Sequence, residues 1–182
     1  ASPWEAIVNS LVYAAGAAVI AVVVGGLAAF AVASSSSSRT RILDVLLLLP
    51  LGASAVMLGF ALILAFDSEP FDFRSAPWIV PVAQALVAIP FVVRIVAPTL
   101  RAIDERQREA AAVLGAAPGR TRRELDLPIA GRALAVAAGF AFAISLGEFG
   151  ATVFLARPES PTVPVALFRF LGRPGELNAG QA

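Results

Sequence analysis

Four apolar runs, each long enough to cross a lipid bilayer as a helix, leave little freedom in what this chain can fold into. A bilayer core is about 30 Å thick and takes roughly 20 helical residues at about 1.5 Å each. Residues 11–33 are free of charge and rich in Val and Ala. Residues 42–66 carry only Asp44 near their start and Pro50 inside. Residues 78–100 contain Arg94, Pro81, Pro90 and Pro98, and residues 133–156 contain Glu148 within a Gly-rich stretch. The first two runs suit lipid, whereas charge and proline inside the last two call for protein neighbours. Composition agrees, with 58% apolar and 15% charged residues, against about 45–50% and about 25% in soluble domains. The fold class is therefore an all-α integral membrane protein with about four transmembrane helices.

Residue types that are missing exclude most site chemistry. The chain has no Cys and no His, and all fourteen basic residues are Arg. Zinc and haem ligation, Cys or Ser-His nucleophiles and disulfide scaffolds all need the absent types. Without Lys there is no Schiff-base chemistry and no phosphate-gripping Lys of a G-x-x-x-x-G-K-[ST] loop, so the chain is not its own nucleotide hydrolase. A net charge of +1 offers no field for nucleic acid. The reading is a membrane-embedded non-enzyme with no cofactor or metal of its own. Ala1 in place of Met, and a start without a signal-peptide pattern, predict a piece of a longer protein.

Charge in the connections predicts topology. Residues 34–41 hold two Arg and no acid; residues 67–77 hold Asp67, Glu69 and Asp72 against Arg74; residues 101–132 hold seven Arg against five acids. By the positive-inside rule the first and third connections are cytoplasmic and the second is outside, which puts the N-terminus outside. The run Ser34 to Ser38 reads as a hydrophilic turn. The apolar piece 163–172, bracketed by Pro161, Pro164, Gly172 and Pro174, is too short to cross and is expected as a short outer-side helix. Residues 175–182 are expected to begin a further span.

The cytoplasmic connection, 101–132, is too long for a simple turn. Asp104 with Gln107 resembles a capping box, residues 105–114 are good helix formers, and Gly115 sits where a left-handed C-cap belongs. Thr121 with Glu124 repeats the box and Arg120 with Glu124 is an i,i+4 pair, which predicts a second short helix ending before Pro128.

Glu109, Ala110, Ala111, three further residues, Gly115, nine further residues, then Leu125, Asp126, Leu127 and Pro128 resemble the EAA motif of permease subunits of binding-protein-dependent type I ABC importers. The family pattern has Ile where this chain has Leu125. The resemblance implies a MetI-like helical bundle in the bacterial inner membrane, here the C-terminal half with its last core helix missing. It also implies a motif helix that docks in a groove of an ATP-hydrolysing subunit, which binds ATP-Mg. Glu109, Ala110, Ala111, Gly115, Leu125, Leu127 and Pro128 are then the coupling residues. Further implied partners are a second permease half, fused or separate, and an extracytoplasmic solute-binding protein. The block S-L-G-E-F-G-A-T, residues 145–152, resembles permeases for iron(III), thiamine, sulfate and molybdate. The segment after it is closer to the iron(III) and thiamine branch, so those solutes are expected, with sulfate or molybdate as the alternative.

Two charges lie inside the spans. Arg94 stands about 9 Å from the inner face and Glu148 about 24 Å above it, too far apart to pair. Arg94 is expected to snorkel or to meet Asp44. For Glu148, flanked by Ser145 and Gly147, two readings stand: a helix-packing role with the carboxylate bonded to backbone, or a lining role on the translocation path. Two rival functions remain. An ion-coupled secondary transporter would call for more paired intramembrane charges, and a membrane enzyme for a cluster of acids, His or Cys.

Overall fold

The computed structural model describes residues 3–34, 37–66 and 76–172. Asp67, Glu69, Asp72 and Arg74 of the outer connection, and the segment 175–182, lie outside the described residues. The described residues form helices and no strand: α1 (Pro3–Ala33), α2 (Ser38–Gly52), α3 (Ala55–Phe66), α4 (Ile79–Arg101), α5 (Glu105–Val113), α6 (Pro118–Thr121), a π turn (Arg122–Asp126), α7 (Leu127–Gly147), α8 (Thr152–Leu155) and α9 (Val163–Leu171).

The core is a trio of α1, α4 and α7. Lipid tails are as apolar as side chains, so association here rests on close van der Waals packing rather than on exclusion of water. The sequence provides for this with small residues: Ala17 and Ala21 of α1, Ala85 and Ala88 of α4, and Ala137 and Ala141 of α7 are all buried. At Gly25 a Cβ would lie 2.9 Å from the Cβ of Val92, so only glycine permits that approach of α1 to α4. The large side chains Val19, Val23 and Leu27 face outward, as lipid requires.

Helix bounds differ from the apolar runs for identifiable reasons. α1 starts at Pro3, a residue whose missing N–H suits the first turn, so the helix is longer than the run 11–33. Residues 42–66 are not one rod but α2 and α3, bent by 106°. α2 ends after Pro50 and Gly52, where Ala53 turns extended, and at 15 residues, about 22 Å, it is too short to cross alone. No α2 residue is buried, so this helix lies at the rim. α3 is seated on the turn before α8: a Cβ on Gly59 would lie 2.6 Å from the Ala151 carbonyl oxygen.

The helical run of the last span covers Pro118–Gly147 rather than 133–156. Pro128 does not stop it. The π turn absorbs the proline: Leu127 donates to the Arg122 carbonyl, five residues back, so the ladder widens next to the position where Pro128 has no N–H to give. α7 ends at Gly147, and Glu148 takes an extended conformation as its C-cap.

The two ends of the bundle are tied separately. At the Arg-rich end, Arg101 Nη2 donates to the Val32 carbonyl at 3.3 Å. At the other end, the N–H of Val163 donates to Ser10 Oγ at 2.7 Å, which satisfies a first-turn donor of α9. Asn9 Nδ2 also reaches the Pro161 carbonyl there, at 3.4 Å.

Candidate functional site

α5 owes both its ends to local chemistry. Asp104 accepts from the Arg106 N–H at 3.0 Å. The Gln107 side chain makes no return bond among the described residues, so only half of the expected capping box forms. At the C-terminus Gly115 has φ +81. Gly115 N–H donates to the Ala112 carbonyl and Ala116 N–H to that of Ala111, both at 2.9 Å. This pair of bonds is a Schellman closure, which needs the left-handed residue that glycine supplies. α6 is capped by Ala117 with Pro118 following, and not by Thr121, whose N–H donates back to Ala117. The Arg120–Glu124 pair forms at 2.9 Å.

The motif residues divide between two surfaces. Glu109 and Ala110 are exposed and Ala111 is half-buried. Leu125 packs against the core and Asp126 is buried, whereas Leu127 and Pro128 face outward. At the tip of α5, Val113 is 88% exposed and Leu114 87%, beside the exposed Gly115. Two large apolar side chains are thus bare where α5 ends, next to the small Ala110, Ala111 and Ala112 of its last turn.

What holds this helix is an arginine that sequence reasoning passed over. Arg108 donates from Nε and Nη2 to Asp126 Oδ1 at 3.2 and 3.1 Å, and from Nη1 to Glu105 Oε2 at 3.0 Å. Nη2 also reaches the Leu100 carbonyl at 3.5 Å. Burial alone would lower its pKa, but the hydrogen bonds to Glu105 and Asp126, with the charges behind them, outweigh that and raise it. The signal was present as Glu105 and Arg108 at i,i+3 and as the lone acid in L-D-L-P.

Arg94 is exposed and makes no ion pair with Asp44 among the described residues. Asp44 instead lines a polar cleft with Arg41 and Arg101. At the opposite end, Ser145, Gly147 and Glu148 close α7. Glu148 is buried and its carboxylate is fully engaged. It accepts from the N–H groups of Ala151 at 2.8 Å and Thr152 at 3.0 Å, and from Thr152 Oγ1 at 2.6 Å. Thr152 Oγ1 accepts in turn from Gln84 Nε2 of α4 at 3.4 Å. Gln84 was also missed, although it is the one amide side chain in α4. Gln84 Oε1 and Ser145 Oγ are buried without a partner among the described residues.

The geometry defines a class: a bundle of helices long and apolar enough to cross a membrane, which presents a capped, apolar-tipped helix at its Arg-rich end. Residues 6–170 match the family described as binding-protein-dependent transport system inner membrane component, and the chain belongs to that family. It is an inner-membrane transport permease subunit. A putative 2-aminoethylphosphonate transport system permease of Salmonella paratyphi A is 29% identical over 98% of this chain and 67% of its own length. The molybdenum transport system permease of Escherichia coli K12 is 28% identical over 94% of this chain and 81% of its own length. The sulfate transport system permease of the same strain is 32% identical over 84% of this chain and 62% of its own length. None of these names supports the expected iron(III) or thiamine solute, and two of them match the sulfate or molybdate alternative.

Proposed function

We propose that this chain is the permease subunit of an ABC importer for a small tetrahedral anion, an oxyanion or a phosphonate. A solute-binding protein would deliver the anion to the outer face, and a second permease half would complete the path. A partner ATPase, holding ATP-Mg, would drive the cycle through α5. The observation that carries the coupling role is the pair Val113 and Leu114, nearly fully exposed at the tip of a doubly capped helix. Glu109, Ala110, Ala111 and Gly115 would meet the ATPase, and Leu125, Leu127 and Pro128 would carry the motion into α7. The solute class rests on what the relatives' names say they transport.

Ser145 and Gly147 are proposed near the path at the outer end of α7. For Glu148 the packing role is favoured, because its carboxylate is occupied by its own turn and a bare carboxylate would repel an anionic solute. The test is uptake into proteoliposomes holding permease, ATPase and binding protein. ATP-dependent accumulation of sulfate, molybdate or 2-aminoethylphosphonate is expected. Accumulation of iron(III) or thiamine alone would overturn the solute class, and uptake driven by an ion gradient without ATP would overturn the importer reading.

A further inference from the structure

We infer that Arg108 and Asp126 form a latch that makes α5 and α7 move as one body, so that Arg108 is a positioning residue for coupling. This rests on the coupling role proposed above for α5.

Three observations carry it. First, α5 has no buried residue of its own, so packing does not fix it to the bundle. Second, Arg108 bridges three elements at once: Glu105 on α5, the Leu100 carbonyl near the end of α4, and Asp126 at the end of the π turn. Its guanidinium grips Asp126 Oδ1 through two nitrogens, a charge-assisted contact stronger than neutral bonds and restrictive in direction. Third, Asp126 heads the buried stripe of α7, continued by Ala130, Ala133, Ala137 and Ala141. A load taken by α5 is therefore delivered at the base of the face that packs in the core.

The π turn helps to place Asp126. It holds one residue more than an α turn, which rotates the segment before it by about 100° relative to α7. Asp126, the last residue of the turn, stands four positions before the buried Ala130, and α6 packs beside α5. The Asp126 side chain is 11% exposed and that of Arg108 31%, so water competes poorly for the aspartate end of the pair.

The test uses the assembled transporter and reads solute moved per ATP hydrolysed, alongside co-purification of the ATPase. Arg108→Gln and Asp126→Asn should each retain the ATPase but lower the ratio about tenfold, the scale of a lost charge-assisted hydrogen bond. The exchange of Arg108→Asp with Asp126→Arg should restore a substantial part of the ratio. A residue that serves stability alone would lower the amount of transporter and leave the ratio unchanged. Unchanged ratios in both single variants would overturn the latch. Should the single variants fail to insert, an inserted exchange variant that couples supports the latch, and one that hydrolyses ATP without transport overturns it. If the unaltered chain recovers no ATPase, the coupling role of α5 falls, and the latch with it.

Discussion

The Glu148 carboxylate lies 2.6 Å from the Thr152 hydroxyl, and the same oxygen accepts the Thr152 N–H at 3.0 Å. A side chain that ends α7 thus starts α8, and the abrupt turn between them is held by one buried acid.

Substituting Glu148→Gln keeps the volume but leaves one acceptor oxygen facing three donors. We expect a loss of about 1–3 kcal/mol, the cost of leaving a buried donor unpaired. Thermal unfolding of the detergent-solubilised transporter should show a lowered Tm for Glu148→Gln and for Thr152→Val, while the folded fraction still transports. An unchanged Tm with abolished uptake would instead place Glu148 on the path.

Gly59 and Gly150 form a mutual close approach between α3 and the turn before α8. A Cβ on Gly59 would meet the Ala151 carbonyl oxygen at 2.6 Å, and one on Gly150 would meet Ala55 Cβ at 2.9 Å. Gly59→Val should destabilise by about 1–3 kcal/mol or more through overpacking. A Cβ added at Gly139, inside α7, has nothing within 4 Å among the described residues. Gly139→Ala should be neutral or stabilising by up to about 1 kcal/mol from helix propensity. Comparing the Tm of the two variants checks this, and equal losses would contradict the seating of α3.

Gly115→Val puts a β-branched residue at φ +81, at a local cost of about 1–2 kcal/mol or more. Together with Glu109→Lys, which reverses an exposed charge on α5, it should leave membrane insertion intact and abolish uptake. Normal uptake by both variants, measured at equal membrane abundance, would remove α5 from the coupling path.

Spans were legible because length and apolarity are local quantities, and the caps of α5 because Asp104 and Gly115 act on their own backbone. Direction was not legible. Residues 42–66 read as one run since hydropathy is blind to a 106° bend whose seat, Gly59 against Ala151, is remote in sequence. Pro128 read as a stop because an α register cannot accommodate it, and the π turn changes the register. Glu148 was placed deep in a span when it closes one, because the apolar run continues past Gly147, where the helix ends. Arg108 went unnoticed since its main partner, Asp126, is 18 positions away and belongs to a pattern read for its leucines and proline.

The account turns on α5 docking to an ATPase, and the absence of Cys allows one measurement to test it directly. A single Cys at the exposed Ala112 of the full-length protein, cross-linked in native membranes, should give an adduct whose mass-spectrometric sequence contains a G-x-x-x-x-G-K-[ST] loop. An inserted protein that yields no ATPase adduct would contradict the coupling role of this helix.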